Sequence, residues 1–600
     1  MVKRKSYFEG SRQVRQYNKT EIRKRLTDLN KYLSSIGLAL CSRESIFIKL
    51  HDDKIDAENF KIKILNEFSD ISNVKNSTLN TIFVKDSSYI STRTYHKIRK
   101  ELNLKEQLPP INQISDLRKS INYFFELRIN RNSCFLKYPL QKVEFVLKKI
   151  LENLDKAVND DIKVENKTFI IKLSGDGKVL TKSSHREINN IVFTIVNEVK
   201  KCKTSVGNYI LGSYEIKENS HTEREEHLET LMEAFKKFDR IKINSTVYSI
   251  VQKFGADMKF IEEVYGLSCS NSSYGCIYCE ADLKKPWKDG DEQKLYPINR
   301  TLKKSMDIIK KNLKKKKNSN QEIKGYEYKP LIHIEFKNIV IDTLHQFLRL
   351  SEKLFSALIN ILDQNDEDSS SNDFKKRKNL KIFLDILSNE IRIPKPYYFP
   401  ESGPEKIKLR NFNGTEREKI FLYFLNKISL QNLFPKIQRM ISFNKVFLGF
   451  WILFEKYKNF APLKDDLNAL DFELRAWLFS YIPFCSTLET TLCPYLHIFI
   501  YHSKELLELH GNINMYNTQG LERLNSTQTS IYFRNTNKSV EEINEKTNNL
   551  QSTFIRQLVD NKNRLDFYNL NGTIHDLEAA DLNRQNGYLN TIEFVINGGQ

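Results

Sequence analysis

Disulfides, membrane spans and low-complexity stretches are what this chain has least room for. Eight cysteines in 600 residues are too few for a disulfide scaffold. With only 20 glycines and 14 prolines, a fibrous or largely disordered chain is excluded. The longest apolar run, Val446 to Phe454, is nine residues, about half of the ~20 that a membrane-spanning helix needs. The first residues, Met1-Val2-Lys3-Arg4-Lys5, lead into polar sequence with no apolar signal core. The expectation is a soluble intracellular protein with reduced thiols and no membrane partner. Lys3, Arg4 and Lys5 would suit a nuclear address.

What the chain does have is positive charge and material for a core. Apolar residues make up 40%, with 38 Phe and 27 Tyr, and the length allows two to four domains. Lys plus Arg number 95 against 75 Asp plus Glu, a formal charge of +20. Residues 1–150 alone carry 30 basic and 16 acidic side chains. A general compositional drift would spread evenly. Concentration in the first quarter points instead to a polyanionic partner.

Within that basic quarter the periodicity predicts helices. Ile22, Leu26, Leu29 and Leu33 recur at helical spacing over Thr20 to Ser35, with Gly37 as the stop. A second helix is expected from Thr92 to Leu102, with Ser91 as N-cap and Arg93, Lys97, Arg99 and Lys100 as a basic surface. A third, Ser115 to Leu127, carries Leu117, Ile121, Phe124 and Phe125. Small helical modules with one basic helix suit docking into a DNA groove. A solvated basic face on an ordinary helix has the same pattern.

The pattern changes near residue 165. Strands are expected at Thr168 to Leu173, ending in Ser174-Gly175-Asp176-Gly177, at Ile191 to Val196 and at Tyr209 to Ile216. A helix over Thr222 to Phe238 and a strand over Val247 to Val251 follow, just before Gly255-Ala256-Asp257. Short links suit an antiparallel meander of the first three strands. The intervening helix lets the fourth lie parallel to the first. The fold class is therefore α/β with a mixed sheet, and Asp176 and Asp257 are placed near the ends of adjacent parallel strands. From about 290 to 480 the chain reads as mainly helical, split by the acidic, Ser-rich stretch Asn365 to Asp373.

Four sets of residues could carry chemistry. Asp176 between two glycines is open to a metal ion or a phosphate, although Asp-Gly pairs are also common surface turns. Asp257 can equally begin the following helix as its cap. The strand order brings the two together, and paired carboxylates repel unless cations such as Mg²⁺ neutralise them. Cys276-Ile277-Tyr278-Cys279 suits half of a tetrahedral zinc site; a redox pair lacks the strand–helix context it needs, and two unpaired thiols in a turn stay open as the alternative. His497 and His502, on a helix from Pro494 to before Gly511, are candidates for the other half, with Cys269, Cys485 and Cys493 as spare soft ligands. The five-residue histidine spacing does not stack on one face of an α-helix, so a local distortion or another secondary structure is required. The last candidate is Glu522, with Arg534 and Lys538 further along a basic helix.

The order Gly-Asp-Gly, Gly-Ala-Asp-Met-Lys-Phe-Ile-Glu-Glu-Val-Tyr-Gly-Leu, Cys-x₂-Cys, His-x₄-His and then a Glu resembles the catalytic core of Transib transposases and of the catalytic subunit of the V(D)J recombinase. The resemblance covers roughly residues 165–290 and 480–545, and Ile341-Asp342-Thr343-Leu344-His345 is similar to a segment of the family's insertion. It implies a ribonuclease H-like core interrupted by a large helical, zinc-binding insertion. It makes Asp176, Asp257 and Glu522 a DDE triad for Mg²⁺ or Mn²⁺, and Cys276, Cys279, His497 and His502 the ligands of a structural Zn²⁺. Around Glu522 extended identity is lacking, so Glu505 and Glu508 stay open as substitutes. The implied activity is nicking, hairpin formation and strand transfer of double-stranded DNA at terminal inverted repeats, by a nuclear protein acting as a homodimer. A catalytically silent DNA-binding relative and a ribonuclease H-like nuclease are the rivals. The expected organisation is a basic, mainly helical DNA-binding and dimerisation region at 1–155, the first part of the core at 160–290 and the insertion at 291–480. The His and Glu segment at 481–545 and a tail at 546–600 complete it.

Overall fold

The structure is a computed structural model that describes residues 95–96, 99–100, 109–130, 132–154, 164–179, 186–217, 220–284, 296–314, 323–366, 377–398, 408–462, 465–484, 493–535 and 553–571. The chain begins with α1 (Ile111–Phe124), β1 (Leu127–Asn130), β2 (Ser133–Leu136) and α2 (Pro139–Leu154). Next come β3 (Thr168–Val179), β4 (Arg186–Ile195), β5 (Tyr209–Lys217), α3 (His221–Lys236), β6 (Arg240–Ile243), β7 (Thr246–Phe254) and α4 (Met258–Tyr265). The helices α5 (Leu302–Lys314), α6 (Thr343–Gln364), α7 (Lys378–Asp385), α8 (Gly414–Asn426), α9 (Gln438–Lys458) and α10 (Leu467–Tyr481) follow. Last are α11 (Pro494–His497), α12 (Ser503–His510), α13 (Gln519–Asn535) and α14 (Thr553–Asn571). The class is α/β with a mixed sheet of seven strands. Among the described residues no helix is long and apolar enough to cross a membrane.

The chain divides into two compact units. One comprises residues 1–159, 209–215 and 525–600. Here the N-terminal helices are interrupted by a short hairpin that the sequence pattern did not predict. The third expected helix ends at Phe124, and the next residues form the hairpin β1–β2, paired from Leu127↔Leu136 to Asn130↔Ser133. Phe124 and Phe125 meet Phe567 of α14 with ring centroids 5.8 and 6.5 Å apart, and Phe145 stacks on the same ring at 6.0 Å. A buried polar knot holds the same helix. Lys142 Nζ donates to Asn563 Oδ1 at 2.6 Å, to Asp566 Oδ2 at 2.7 Å and to the Ile210 carbonyl at 2.8 Å. The expected helix at 20–35 and the basic residues Arg93 and Lys97 lie outside the described residues, as does Lys538, and nothing is described of the Arg534 side chain. Arg99 and Lys100 are helical, Arg99 half-buried and Lys100 exposed.

The second unit, residues 160–208 and 216–524, carries the candidate chemistry. β3 pairs antiparallel with β4 and parallel with β7, from Thr168↔Ser249 to Leu173↔Phe254, as the strand order predicts. The short edge strand β6 pairs antiparallel with β7 and puts Arg240 and Lys242 into solvent, charges that discourage edge-to-edge pairing. One expectation is corrected. β3 does not end at Leu173; it runs through Gly175-Asp176-Gly177 to Val179, and Asp176 faces Asn190 of β4 in the ladder.

The stretch from α5 to α10 is mainly helical, with a two-residue strand pair, Tyr397–Tyr398 with Lys408–Leu409. Its core is aromatic: Phe421 of α8 stacks on Phe447 and Trp451 of α9 at 4.5 and 5.5 Å, and Phe347 of α6 stacks parallel to Phe450. Phe499, just after α11, packs against Phe450, Phe454 and Tyr457, which fixes the histidine-bearing segment to this helical layer.

Candidate metal centre and acidic cluster

The expected soft-ligand site forms in full. One ligand atom from each of Cys276, Cys279, His497 and His502 can be chosen so that all lie within 4.8 Å of one another, and all four residues are buried. Cys279 Sγ is 3.2 Å from His497 Nε2 and Cys276 Sγ is 3.5 Å from His502 Nε2. The histidine spacing is solved by a change of helix type. Between α11 and α12 the chain makes a π-helical turn, Ile498–His502. A π turn bonds residue i to i+5, so side chains five apart share a face as i and i+4 do in an α-helix. Cys269 is exposed and Cys493 half-buried, and neither joins the group, whereas Cys485 lies outside the described residues.

The cysteine loop is built to hold its shape. The Tyr278 amide donates to Cys276 Sγ at 3.4 Å. Arg300, almost wholly buried, donates from Nε to the carbonyls of Cys276 (2.9 Å) and Cys279 (3.1 Å) and from a terminal nitrogen to that of Tyr274 (3.0 Å). Outer-shell bonds of this kind orient ligands. The electrostatics match. Burial opposes a Cys276 thiolate, but the hydrogen bond from Cys279 and the imidazoles of His502 and His497 hold its thiol well below the ordinary range. The bond that Cys279 gives to Cys276, then burial, push the Cys279 thiol up. Burial lowers His497, keeping its imidazole neutral and ready to donate a lone pair. Two sulfurs and two imidazoles, buried and convergent, fit a tetrahedral ion such as zinc.

The acidic candidates sit on three elements. Asp176 lies within β3, and the flanking glycines are explained by close packing, since no turn occurs there. A Cβ on Gly175 would collide with the Phe260 ring of α4 and lie 3.0 Å from Ile191 Cδ1; one on Gly177 would collide with Glu187. Asp257 does begin α4 as its N-cap, with Oδ1 accepting from the Phe260 amide at 2.7 Å. Capping uses one carboxylate oxygen, so the structural and the chemical readings of Asp257 coexist. Glu522 stands in the first turn of α13, half-buried.

Neighbouring acids act on Asp176 and on Glu522. Burial, then the charges of Glu522 and Asp257, push Asp176 well above the usual carboxylate range. Glu522 is raised by burial, with Asp342 and Asp257 adding to the effect and His345 opposing it. Neither substitute for Glu522 takes part: Glu505 Oε2 accepts the Ile298 amide at 2.9 Å, and Glu508 is exposed.

The sequence flagged His345 only as part of a resembling segment, and it proves to be the counter-charge. Its Nδ1 is 2.6 Å from Asp342 Oδ2 and its Nε2 is 3.6 Å from Glu522 Oε1. Burial disfavours the imidazolium, but the Asp342 carboxylate, then Asp257 and Glu522, raise it to about 9. Asp342 is itself fully buried and caps α6 by accepting the His345 amide at 3.0 Å. The Asp-x-x-His spacing, with a capping Asp before an apolar helix, was the only local signal for this pair.

Close packing at Gly175 makes a prediction. Gly175→Ala should overpack the strand–helix contact and cost about 1–3 kcal/mol. Phe260 would be driven away, and the α4 N-terminus that presents Asp257 would move with it. Chemical denaturation of the variant measures the first effect; an unchanged midpoint would show that the ring yields freely. In the comparisons with known proteins, no protein-family model and no curated protein matches this chain.

Proposed function

We propose that the chain is a DDE-type DNA transposase or recombinase of the Transib and V(D)J recombinase kind, with a ribonuclease H-like core. The observation that carries this reading is that the charges of Glu522 and Asp257 both act on Asp176, the three coming from a strand, a helix cap and a helix up to 346 residues apart in sequence. Burial, then neighbouring negative charge, presses Asp176 and Glu522 towards their neutral forms, and divalent cations stabilise carboxylates so placed. Mg²⁺ or Mn²⁺ bound there would supply an acidified water or 3′-hydroxyl and neutralise charge on the phosphorane.

The protein's own part is positioning and counter-charge. Asp176, in the hydrogen-bonded ladder with Asn190, has little freedom to move. Asp257 is held by its helix cap. The His345 imidazolium, fixed by Asp342, lies beside the acids and would face a phosphate entering between them. The buried Cys₂His₂ group would bind Zn²⁺ as a structural ion, joining the cysteine loop to the helix that leads to Glu522. Arg93, Lys97, Arg99, Lys100, Arg534 and Lys538 would contact DNA phosphates and set register. Action on paired ends makes a homodimer the expected assembly, and the nucleus the expected compartment.

The test is cleavage of terminal-repeat duplexes by the purified chain. Nicks and hairpins that require Mg²⁺ or Mn²⁺, followed by joining of the cut end to a plasmid, are expected. Cutting of RNA–DNA hybrids without joining would replace this reading with a ribonuclease H-like nuclease. DNA binding without cutting under any divalent ion would replace it with a silent relative.

A further inference from the structure

Lys172 is a lysine where a hydrophobic residue would be expected. It lies on β3 between Ile171 and Leu173, with no exposure. Among the described residues no carboxylate lies in ion-pair contact with it. Its Nζ donates to two main-chain carbonyls, those of Tyr516 at 3.1 Å and Asn517 at 2.9 Å, more than three hundred residues later in the chain. The next amide, of Thr518, donates to Asp342 Oδ1 at 2.8 Å, and the Asp342 charge acts on the ammonium. The Thr518 carbonyl then accepts the Glu522 amide at 3.0 Å, the first turn of α13. Gly255, two residues before Asp257, leaves room for the lysine stem: a Cβ there would stand 3.1 Å from Lys172 Cδ and 3.5 Å from the Tyr516 carbonyl.

An ammonium taken wholly out of water is costly, and apolar side chains of similar volume usually pack such positions at less cost. Stability alone therefore does not explain this lysine. Its partners do. Lys172 and Asp176 share one face of β3, about 13 Å apart along the strand. Tyr516 and Asn517 immediately precede the helix that carries Glu522. From this one anchor, a strand leads to the first acid and a helix to the third, while Gly255 ties in the segment of the second.

We propose that Lys172 is a positioning residue, which fixes the start of the Glu522 helix against the strand that carries Asp176. The proposal rests on the functional reading above for its catalytic consequence, but the anchoring itself does not. Backbone carbonyls as acceptors make it specific: they can be satisfied only while residues 516–518 keep their path. An apolar residue would tolerate sliding, and a displacement of about 1 Å at a reacting centre is enough to cost roughly 100-fold.

The experiment uses the full chain with Lys172→Met, which keeps the stem and removes the donors. Melting temperature should match the parent's or exceed it, and zinc content should match. Amide exchange at residues 518–524 should rise at least about tenfold. With DNA, kcat should fall roughly 10- to 100-fold while KM holds. Unchanged exchange in a folded variant overturns the proposal. Exchange that rises while kcat stays at the parental value overturns the catalytic role. Should Lys172→Met fail to fold, Lys172→Arg decides: parental exchange with kcat within about threefold of the parent supports the anchor, whereas loss of fold in both variants makes the lysine a plain stability element and overturns it. A parent that cuts no DNA would refute the functional reading, and exchange would still judge the anchor.

Discussion

Asp176→Asn should abolish DNA cleavage while leaving the fold and DNA binding in place. Asparagine fills the same volume in the β3–β4 ladder, so packing between Gly175 and Gly177 is kept. What disappears is one of three negative charges that divalent ions would share. Loss of about 4 kcal/mol of transition-state stabilisation corresponds to roughly 1,000-fold in rate. Because burial and two neighbouring acids already press Asp176 towards its neutral form, removing its charge should relieve repulsion in the metal-free protein. The variant is therefore expected to melt at or above the parental temperature. Single-turnover cleavage of a labelled terminal-repeat duplex, with gel-shift binding and thermal melting alongside, checks all three. Parental cleavage by this variant would remove the DDE assignment, and parental cleavage by Glu522→Gln as well would leave no acidic site to argue for.

The second large effect concerns the soft-ligand group. Metal analysis of the pure chain should find one zinc per protein, and Cys276→Ser should release it. Serine cannot supply the thiolate that His497 and His502 stabilise at Cys276. Structural zinc contributes on the order of 10 kcal/mol in small zinc-dependent peptides. In a larger unit with its own core a smaller share is expected, at least ~3 kcal/mol, the scale of breaking a buried charged pair. Thermal melting should drop by several degrees, and chelation of the parent should reproduce the drop. The control is Cys269→Ser, an exposed thiol outside the group, which should change neither zinc content nor melting. Absence of zinc from the parent, or equal melting with and without it, would show that the four side chains pack without an ion.

How much of this was legible in the sequence depended on whether the controlling contact was local. The strand–strand–strand–helix–strand order was readable from alternation and turn residues, save for the short edge strand β6, and it carried the parallel pairing of β3 with β7. The Cys-x₂-Cys pair was readable because ligand spacing is a local constraint. The extent of β3 was not. Gly175 and Gly177 look like a turn, yet their cause is the approach of Phe260 and Glu187 from other elements. The β1–β2 hairpin was missed because two four-residue strands give too short an alternation to outweigh the helical run before them. His345 and Lys172 stayed in the background for one shared reason. Each matters through a partner far away in sequence, Glu522 for one and the 516–517 carbonyls for the other, and no periodicity encodes such a meeting.

The π turn at Ile498–His502 reaches beyond the histidines. In an uninterrupted α-helix, side chains five apart point about 140° away from each other. One supernumerary residue brings them back into line and resets the phase of everything downstream by about 100°. Ser503, Leu506 and Leu507 are thereby turned inward while Glu508 and Leu509 face solvent. The ladder slip that aligns two imidazoles thus also chooses which stripe of α12 is sealed from water. Shortening 498–501 by a residue would restore a regular α-helix, put the two histidines four apart and leave the sealed stripe of α12 in register, whereas a regular α-helix at full length would turn that stripe by about 100°.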